Sequence, residues 1–239
     1  MDITQGRIPL RITPDRLTNA VVTIVIEDRY SSSFLEGQLV SSYNQRHPEM
    51  ELTRLKLKTN EGNDEPRFFY ANSQFRVILI KNTIAFNFVT AYPGWNTYNG
   101  WIRDFLSSDI ALRFKGVSMR YISEYHNIHI FDPNVLDGIV GLNHVPEFAG
   151  TELQYQCNLH DFEDHTIIGM AKVKLTNAEI VQGMDGDKSK IDITVVSNTK
   201  DGDSGIFFSV MDKLHRHEKT LFFAMLNENF VNTLNPEYE

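Results

Sequence analysis

The segment from Phe75 to Leu106 constrains the fold more than any other part of the chain. Large apolar residues occupy every second position of Phe75–Ile80, a polar Lys81-Asn82 pair interrupts them, and the alternation resumes along Ile84–Phe88. Alternation with a period of two on both sides of a short polar break is typical of a β-hairpin. The sequence therefore predicts a pair of antiparallel strands at the centre of the chain.

A helix with an aromatic face is expected directly after this hairpin. Beyond Pro93-Gly94 the apolar residues recur at intervals of three and four, which marks one face of a helix from Trp95 to Ala111. Both tryptophans of the chain lie on that face. We expect Trp95, Trp101 and Phe105 to pack against the sheet that the hairpin forms.

The remaining segments predict an α+β fold of predominantly antiparallel sheets with helices packed on one face. A weak internal echo, in which a strand–helix–strand unit occurs twice, is compatible with two similar halves. Further strands are predicted at Asn19–Glu27, Glu51–Lys58, Arg67–Tyr70, Lys115–Tyr125, Glu152–Leu159, Thr166–Thr176 and Lys190–Ser197. Further helices are predicted at Ser31–Arg46, with Ser33 and Glu36 at capping-box spacing, between Phe207 and Met225, and at Glu228–Leu234.

Two halves and a connection are expected along the chain. Residues 1–126 contain the early strand–helix–strand segment, the hairpin, the aromatic-faced helix and the strand after it. Residues 127–149 contain two prolines and two glycines and are interpreted as a long connection. Residues 150–239 contain the last three strands and the C-terminal helices.

Length and charge exclude several classes of protein. The chain has 239 residues and a formal net charge of −8, whereas a general nucleic-acid binder is expected to carry a basic field. No stretch approaches the roughly 18 uninterrupted apolar residues of a transmembrane helix, and residues 1–15 lack the apolar centre of a signal peptide. We expect a cytoplasmic protein that binds neither nucleic acid nor membrane.

Cys157 is the single cysteine, so an intramolecular disulfide is excluded. It alternates with Tyr155 and Leu159, which favours a buried position on a strand. A reactive thiol is the weaker interpretation, because no neighbouring cation would lower the pKa of Cys157.

Gly202-Asp203-Ser204-Gly205 matches the short motif around the nucleophile of chymotrypsin-like proteases. That fold requires a histidine and an aspartate upstream on a double β-barrel, and helical spacing follows Ser204 instead. We therefore interpret Asp203 or Ser204 as the cap of the last long helix.

An acidic segment bearing two histidines runs from His160 to His165 and also contains Asp161, Glu163 and Asp164. A metal site needs ligands that converge and are held by supporting hydrogen bonds. Polar residues in a hairpin loop are usually solvated instead. We predict no metal and no cofactor for this chain.

Several pieces of sequence together carry a family resemblance. They are NAVVTIVIE, IAFNFVTAYPGWNTYNGWIRDF, VSMRYISEYHNI, GMAKVKLTN and MDKLHRHEKTLFFAMLNENFVNTLNPEYE. The combination resembles a sporadically distributed family of uncharacterised bacterial and archaeal proteins of roughly this length. Its more specific parts are Asn87-Phe88…Tyr92-Pro93…Trp95 and Arg120-Tyr121-Ile122. That family carries no established catalytic set, so the resemblance implies no site residues. Its patchy distribution resembles that of mobile or defence-associated genes.

The leading functional hypothesis is a non-catalytic protein-binding module in a bacterial defence, toxin–antitoxin or immunity-type system. The C-terminal helix combines an apolar face with a charged one, and Leu214, Arg216 and Lys219 are its candidate partner contacts. The competing interpretation is that this apolar face closes the core. A homo-oligomer is compatible with the same surface.

Two other functions stay open. One is a chaperone-like or small-ligand binding module with an aromatic-lined groove. The other is an enzyme whose candidate groups are His160, Asp161 and His165, or His126 with Glu124. A deep polar pocket around these histidines would favour the enzyme, and a flat apolar patch would favour partner binding.

Overall fold

The structure is a computed structural model that describes residues 8–9, 12–13, 16–55, 67–108, 110–137, 152–178, 188–202 and 204–238. Over these ranges the chain forms nine β-strands, four α-helices and a short 3-10 turn at Pro48–Met50. The strands are β1 Leu17–Ile26, β2 Thr53–Leu55, β3 Arg67–Ala71, β4 Phe75–Ile80, β5 Thr83–Phe88, β6 Phe114–His126, β7 Glu152–His160, β8 Ile167–Ala178 and β9 Lys188–Gly202. The helices are α1 Ser32–Arg46, α2 Trp95–Leu106, α3 Ser204–Met225 and α4 Glu228–Thr233.

The described strands form one antiparallel sheet in the order β2-β3-β4-β5-β1-β6-β9-β8-β7, and helices pack against it. The α+β class predicted from the sequence is therefore confirmed. The predicted strands are all present, with bounds that differ by a few residues. Residues 56–58 of the predicted strand Glu51–Lys58 lie outside the described residues.

The chain divides into two compact units, each assembled from separate stretches of sequence. The N-terminal unit contains Asn19–Met119 and Val196–Met211, and the C-terminal unit contains Met1–Thr18, Arg120–Val195 and Asp212–Glu239. The division into 1–126 and 150–239 stays a prediction. Residues 138–149 of the predicted connection lie outside the described part of the chain.

The central hairpin is confirmed in the N-terminal unit. Strands β4 and β5 pair in register from Phe75 opposite Phe88 to Ile80 opposite Thr83. The connecting Lys81 has a φ of 50°, the left-handed conformation that two-residue hairpin turns require. The alternation seen in the sequence therefore sends every second side chain of both strands into the core.

Helix α2 packs its apolar face on this hairpin, but it is shorter than predicted and its tryptophans are not fully buried. It ends at Leu106, where Ser107 turns to an extended conformation, and not at Ala111. Phe105 is fully buried and meets Phe86 edge-on at 5.4 Å. Trp101 is half-buried and stacks on Phe75 at 5.3 Å. The predicted packing on the hairpin is therefore confirmed for Phe105 and Trp101, although Trp101 and Trp95 are only half-buried.

The start of helix α1 differs from the predicted capping box. Ser31 is the N-cap, and its hydroxyl accepts a hydrogen bond from the backbone N–H of Phe34 at 3.3 Å. Ser33 already lies inside the helix. The carboxylate of Glu36 accepts a hydrogen bond from the hydroxyl of Tyr70 on β3. Glu36 therefore makes a tertiary contact instead of the capping-box bond to Ser33 that the sequence predicted.

The C-terminal unit buries the apolar face of helix α3. Leu214 and Met225 are fully buried, and the hydroxyl of Tyr155 on β7 donates to the sulfur of Met225. The competing interpretation of this face, closure of the core, is therefore correct. Leu214 was wrong as a candidate partner contact, because a residue with no exposed surface cannot touch a partner. No helix in the described ranges has the length and apolar character needed to cross a membrane.

Candidate functional site

The turn between β7 and β8 is folded tightly by its own polar groups. The backbone N–H of Asp161 donates to the carbonyl of Thr166 at 2.7 Å. The Asp161 carboxylate accepts from the backbone N–H of Glu163 at 3.0 Å, and that of Asp164 accepts from the backbone N–H of Thr166 at 2.9 Å. His165 takes a φ of 58°, which lets the chain reverse there. Short Asp side chains that bind backbone two residues ahead are typical of turns.

An ion pair fastens this turn to helix α3. The ammonium of Lys213 donates to the carboxylate of Asp161, which is itself almost covered. The hydrogen bond from Lys213 lowers the pKa of Asp161, and the same contact raises the pKa of Lys213. Asp161 is therefore a structural anchor, and its role as an enzymatic group is not supported by these contacts.

Phe162 follows the anchor and lies against two side chains of helix α3. Its ring stacks on the imidazole of His217, with centroids 4.0 Å apart and planes inclined by 10°. The guanidinium carbon of Arg216 lies 4.5 Å from the same ring centroid. Phe162 nevertheless keeps 40% of its surface exposed. An exposed aromatic ring is thus held in place by contacts with His217 and Arg216.

Burial controls the charge of the stacked histidine. It lowers the pKa of His217, and the charge of neighbouring Arg216 lowers it further. The imidazole is therefore neutral at pH 7, and Arg216 is the cation at this position. A neutral ring avoids repulsion with Arg216 and keeps the stack on Phe162 intact.

Ile167, at the start of β8, adds a second apolar group near the turn. It has 63% of its surface exposed, and Glu163 and Asp164, which precede it in the same turn, are also exposed. We call Phe162, Glu163, Asp164, Ile167 and Arg216 the Phe162 surface. It combines an ordered aromatic ring, an aliphatic side chain and a charged rim, which is the composition of many protein–protein contact surfaces.

The predicted enzyme candidates do not form a catalytic arrangement in the described contacts. His160 Nδ1 lies 2.9 Å from the carbonyl oxygen of His165, a backbone contact. Glu124 pairs with Lys188 at 2.7 Å and with Lys190 at 2.9 Å. Among the described residues, no three His, Cys, Asp or Glu side chains converge as they would around a metal ion.

A second histidine of helix α3 lies in a polar cluster that is largely buried. His215 Nδ1 is 3.2 Å from the hydroxyl of Tyr121 and 3.8 Å from a carboxylate oxygen of Glu218. Burial, helped by the charge of Lys219, lowers the pKa of His215 to about 3. The imidazole of His215 is therefore neutral at pH 7, although 17% of its side chain stays exposed.

A hydrogen-bonded network of the C-terminal unit joins Asn177 and Ser189. The Asn177 side-chain oxygen accepts from the backbone N–H of Ile130 at 2.9 Å and from the hydroxyl of Ser189 at 2.6 Å. The Asn177 amide nitrogen lies 2.8 Å from Nε2 of His129. Both Asn177 and Ser189 are buried. The side chains of Asn177 and Ser189 thus give a hydrogen-bond partner to the buried backbone N–H of Ile130, just after β6. This is a structural role.

A shallow concavity of about 340 Å³ lies on the strand face of the C-terminal unit. Its polar walls include Lys172, Lys174, Thr194 and an ion pair in which Arg120 donates to Asp192 at 2.6 Å. It is open and shallow, so it differs from the deep polar pocket that an enzyme would favour.

Two other sequence motifs have ordinary structural positions. Helix α3 begins at Ser204, and Asp203 lies outside the described residues, so the interpretation of Asp203 or Ser204 as its cap stays a prediction. Cys157 lies on β7 as predicted but is half-buried. Burial raises the pKa of its thiol, which disfavours the thiolate form.

A comparison with protein-family models finds none that matches the chain, and a comparison with curated proteins finds no match either. The geometry of the chain itself therefore carries the functional argument.

The structure brings together two regions that the sequence analysis treated separately. Arg216, a candidate partner contact, and the segment His160–His165 meet at Phe162. Phe162 itself was missed because an isolated phenylalanine in an acidic loop resembles any other exposed residue. The sequence did contain one signal for Phe162, which is its position between two acidic residues in Asp161-Phe162-Glu163. That this segment lies against Lys213 and Arg216 of helix α3 is visible only in the tertiary structure. Lys219, the third candidate contact, is half-buried near His215.

Proposed function

We propose that this protein is a non-catalytic, cytoplasmic binding protein that recognises another protein through the Phe162 surface. The observation that carries the proposal is the ordered exposure of Phe162. Its ring is stacked on His217 and lies next to Arg216, yet 40% of it stays accessible. Ordering such a side chain before binding reduces the entropy lost on association.

The chemistry of the rim favours a basic partner. Glu163 and Asp164 are exposed beside Phe162, and the whole chain carries a net charge of −8. Long-range attraction of a basic protein would accelerate association and would weaken as salt screens it. Arg216 fits the same surface, because arginine next to an aromatic ring is common in interface centres. The same negative charge disfavours nucleic acid as the partner.

A bacterial defence, toxin–antitoxin or immunity-type system is the proposed setting. Its support is the family resemblance described above, and it would make the partner a protein encoded nearby. The contact chemistry of the Phe162 surface does not depend on this setting, so the two parts of the proposal are tested separately.

A small anionic ligand is the second candidate function, and the concavity beside Lys172 favours it. Lys172 and Thr194 line its walls and can donate hydrogen bonds to a carboxylate or phosphate, whereas the ammonium of Lys174 is paired with Glu152 at 2.6 Å. The shallow shape makes this candidate weaker than protein recognition.

The proposal is tested by affinity capture from an extract of the native host, followed by mass spectrometry. Wild type, Phe162→Ala and Phe34→Ala are compared as baits. Phe34 is the matched control, because it is also an exposed phenylalanine, with 42% of its surface accessible, and it lies in the N-terminal unit. We expect one protein that wild type and Phe34→Ala retain and Phe162→Ala loses. Equal recovery by all three baits would contradict the proposal, and so would turnover of a small molecule with no protein recovered.

A further inference from the structure

Two rows of side chains on the polar face of β7 and β8 differ in whether their polar groups are paired. In the register of these strands Gln156 lies opposite Lys172, and in the next row of the same face Gln154 lies opposite Lys174. The second row is closed, because the carboxylate of Glu152 pairs with the ammonium of Lys174 at 2.6 Å and accepts from the amide of Gln154 at 2.5 Å. In the described part of the chain, the side chains of Lys172 and Gln156 make no hydrogen bond or ion pair, and both residues are exposed.

Two neighbouring strands of the C-terminal unit bring further donors to the open row. Arg120 on β6 and Thr194 on β9 line the same concavity as Lys172, with a volume of about 340 Å³. The guanidinium of Arg120 is held by Asp192, to which Nε donates at 3.0 Å and Nη2 donates at 2.6 Å. Nη1 of Arg120 takes no part in these bonds. The concavity therefore presents an ammonium, a fixed guanidinium, a hydroxyl and an amide, each from a different strand.

The charge around this concavity is positive, although the whole chain is acidic. The described carboxylates of this face are offset by cations: Asp192 by Arg120, Glu152 by Lys174, and Glu124 by both Lys188 and Lys190. Lys172 adds a charge that no carboxylate neutralises among the described residues. A small anion therefore meets a local excess of positive charge, whereas the net charge of −8 acts from farther away and is screened by salt.

The available donors fit a tetrahedral oxyanion better than a planar carboxylate. A carboxylate is bound best by an arginine fork that gives it two parallel hydrogen bonds. The Nε–Nη2 edge of Arg120 already binds the protein's own Asp192 in this way. The donors that remain are single groups on separate strands, and the three oxygens of a phosphoryl group can accept from them one by one. Lysine also binds phosphate well as a point charge.

We infer that the concavity beside Lys172 binds the phosphoryl group of a small phosphate monoester. Lys172 supplies the charge, Thr194 and Gln156 supply neutral donors, and Asp192 is a positioning residue that fixes Arg120. Because the concavity is open, the rest of the ester extends into solvent. This inference rests on the second candidate function, a small anionic ligand, and names its chemical class. It does not depend on the Phe162 surface.

The first experiment titrates the purified chain with methyl phosphate and follows the backbone amides by NMR. We expect saturable shifts at residues 154–156, 172–174 and 192–194, which line the concavity. The dissociation constant should lie at about 0.1–10 mM, the range that a few charge-assisted hydrogen bonds support. Sodium chloride at the same ionic strength is the control. An absence of saturable shifts in these strands would overturn the inference, and equal shifts with sodium chloride would overturn it as an adventitious ion only.

The second experiment compares two lysines of β8. Lys172→Gln should weaken the binding of methyl phosphate at least about tenfold, because it removes the unpaired ammonium. Lys174→Gln is the matched control, since it makes the same substitution two positions along the same face, at an ammonium that Glu152 already pairs. It should change the dissociation constant less than about threefold. Equal effects of the two substitutions would contradict recognition by Lys172.

The third experiment separates the phosphoryl assignment from the function on which it rests. Malonate is a dicarboxylate of similar size and charge to methyl phosphate, and it should bind at least about tenfold more weakly. If malonate bound as tightly and lost its affinity in Lys172→Gln, the phosphoryl assignment would be wrong and the small-anion function would stand. If neither probe bound, both would be wrong, and the capture experiment on the Phe162 surface would keep its own outcome.

Discussion

Replacing His215 by glutamine should remove a large part of the acid sensitivity of this fold. The imidazole of His215 is largely buried beside Tyr121 and Glu218, with 17% of the side chain exposed, and its pKa falls to about 3 because of burial and the charge of Lys219. In the unfolded chain a histidine has a pKa near 6.5. Between these two values the unfolded state binds a proton that the folded state excludes, so the free energy of unfolding decreases as the pH falls.

The size of the effect follows from the two pKa values. Stability changes by about 1.4 kcal/mol per pH unit between roughly 6.5 and 3. Lowering the pH from 7 to 5 should therefore cost wild type about 2 kcal/mol through His215 alone, by the same linkage relation. Altered packing shifts the stability of His215→Gln equally at both pH values, so its loss between pH 7 and 5 should be smaller than that of wild type by about 2 kcal/mol.

Urea unfolding of wild type and His215→Gln at pH 7 and pH 5 gives the stability that each protein loses on acidification. The difference between these two losses is the double difference that measures the contribution of His215. Contributions from other groups, including His217 with its lowered pKa, cancel because they are common to both proteins. A double difference below about 0.5 kcal/mol would mean a folded pKa within roughly half a unit of normal. His215 would then be reached by water, and the buried cluster described above would be wrong.

Three further predictions concern the core and the acidic turn. Phe105→Ala should lower the free energy of unfolding by about 3–5 kcal/mol because it empties a fully buried site, and Trp101→Ala should cost less because that ring is half-buried; equal losses in urea unfolding would refute this order. Tyr98→Phe should cost about 1 kcal/mol, since the buried hydroxyl donates to the carbonyl of Phe86 at 2.8 Å, and an unchanged unfolding midpoint would contradict that bond. Protein exposed to zinc and dialysed should retain well under one equivalent by atomic absorption; a stoichiometric ion lost in the double variant His160→Ala, His165→Ala would revive the enzyme hypothesis.

The elements with a regular apolar period were predictable from the sequence. The hairpin Phe75–Phe88 follows from apolar residues at every second position, and the face of α2 follows from apolar residues three and four positions apart. Both patterns are local in sequence, and the folded chain keeps them. The ends of elements were less predictable. Helix α2 stops at Ser107, where a short polar side chain and its neighbours compete with helical hydrogen bonds.

The candidate site depends on tertiary contacts that one sequence does not encode locally. Asp161 and Lys213 are 52 positions apart, and neither has a neighbour in sequence that marks it as half of an ion pair. The same holds for Phe162 and His217, which meet because the β7–β8 turn lies on helix α3. Leu214 shows the opposite error: helical periodicity identifies an apolar face, but it does not distinguish a face that closes the core from one that binds a partner.

The affinity of a captured partner for three purified proteins tests the central claim most directly. Wild type, Phe162→Ala and Phe34→Ala would be titrated with the partner at one salt concentration by calorimetry. Truncating a central interface aromatic costs about 2 kcal/mol or more, so Phe162→Ala should weaken the dissociation constant at least roughly 30-fold. Phe34→Ala should change it less than about threefold, since surface substitutions outside a contact lie within about 0.5 kcal/mol. Dissociation constants that agree within about threefold for all three proteins would contradict recognition through the Phe162 surface.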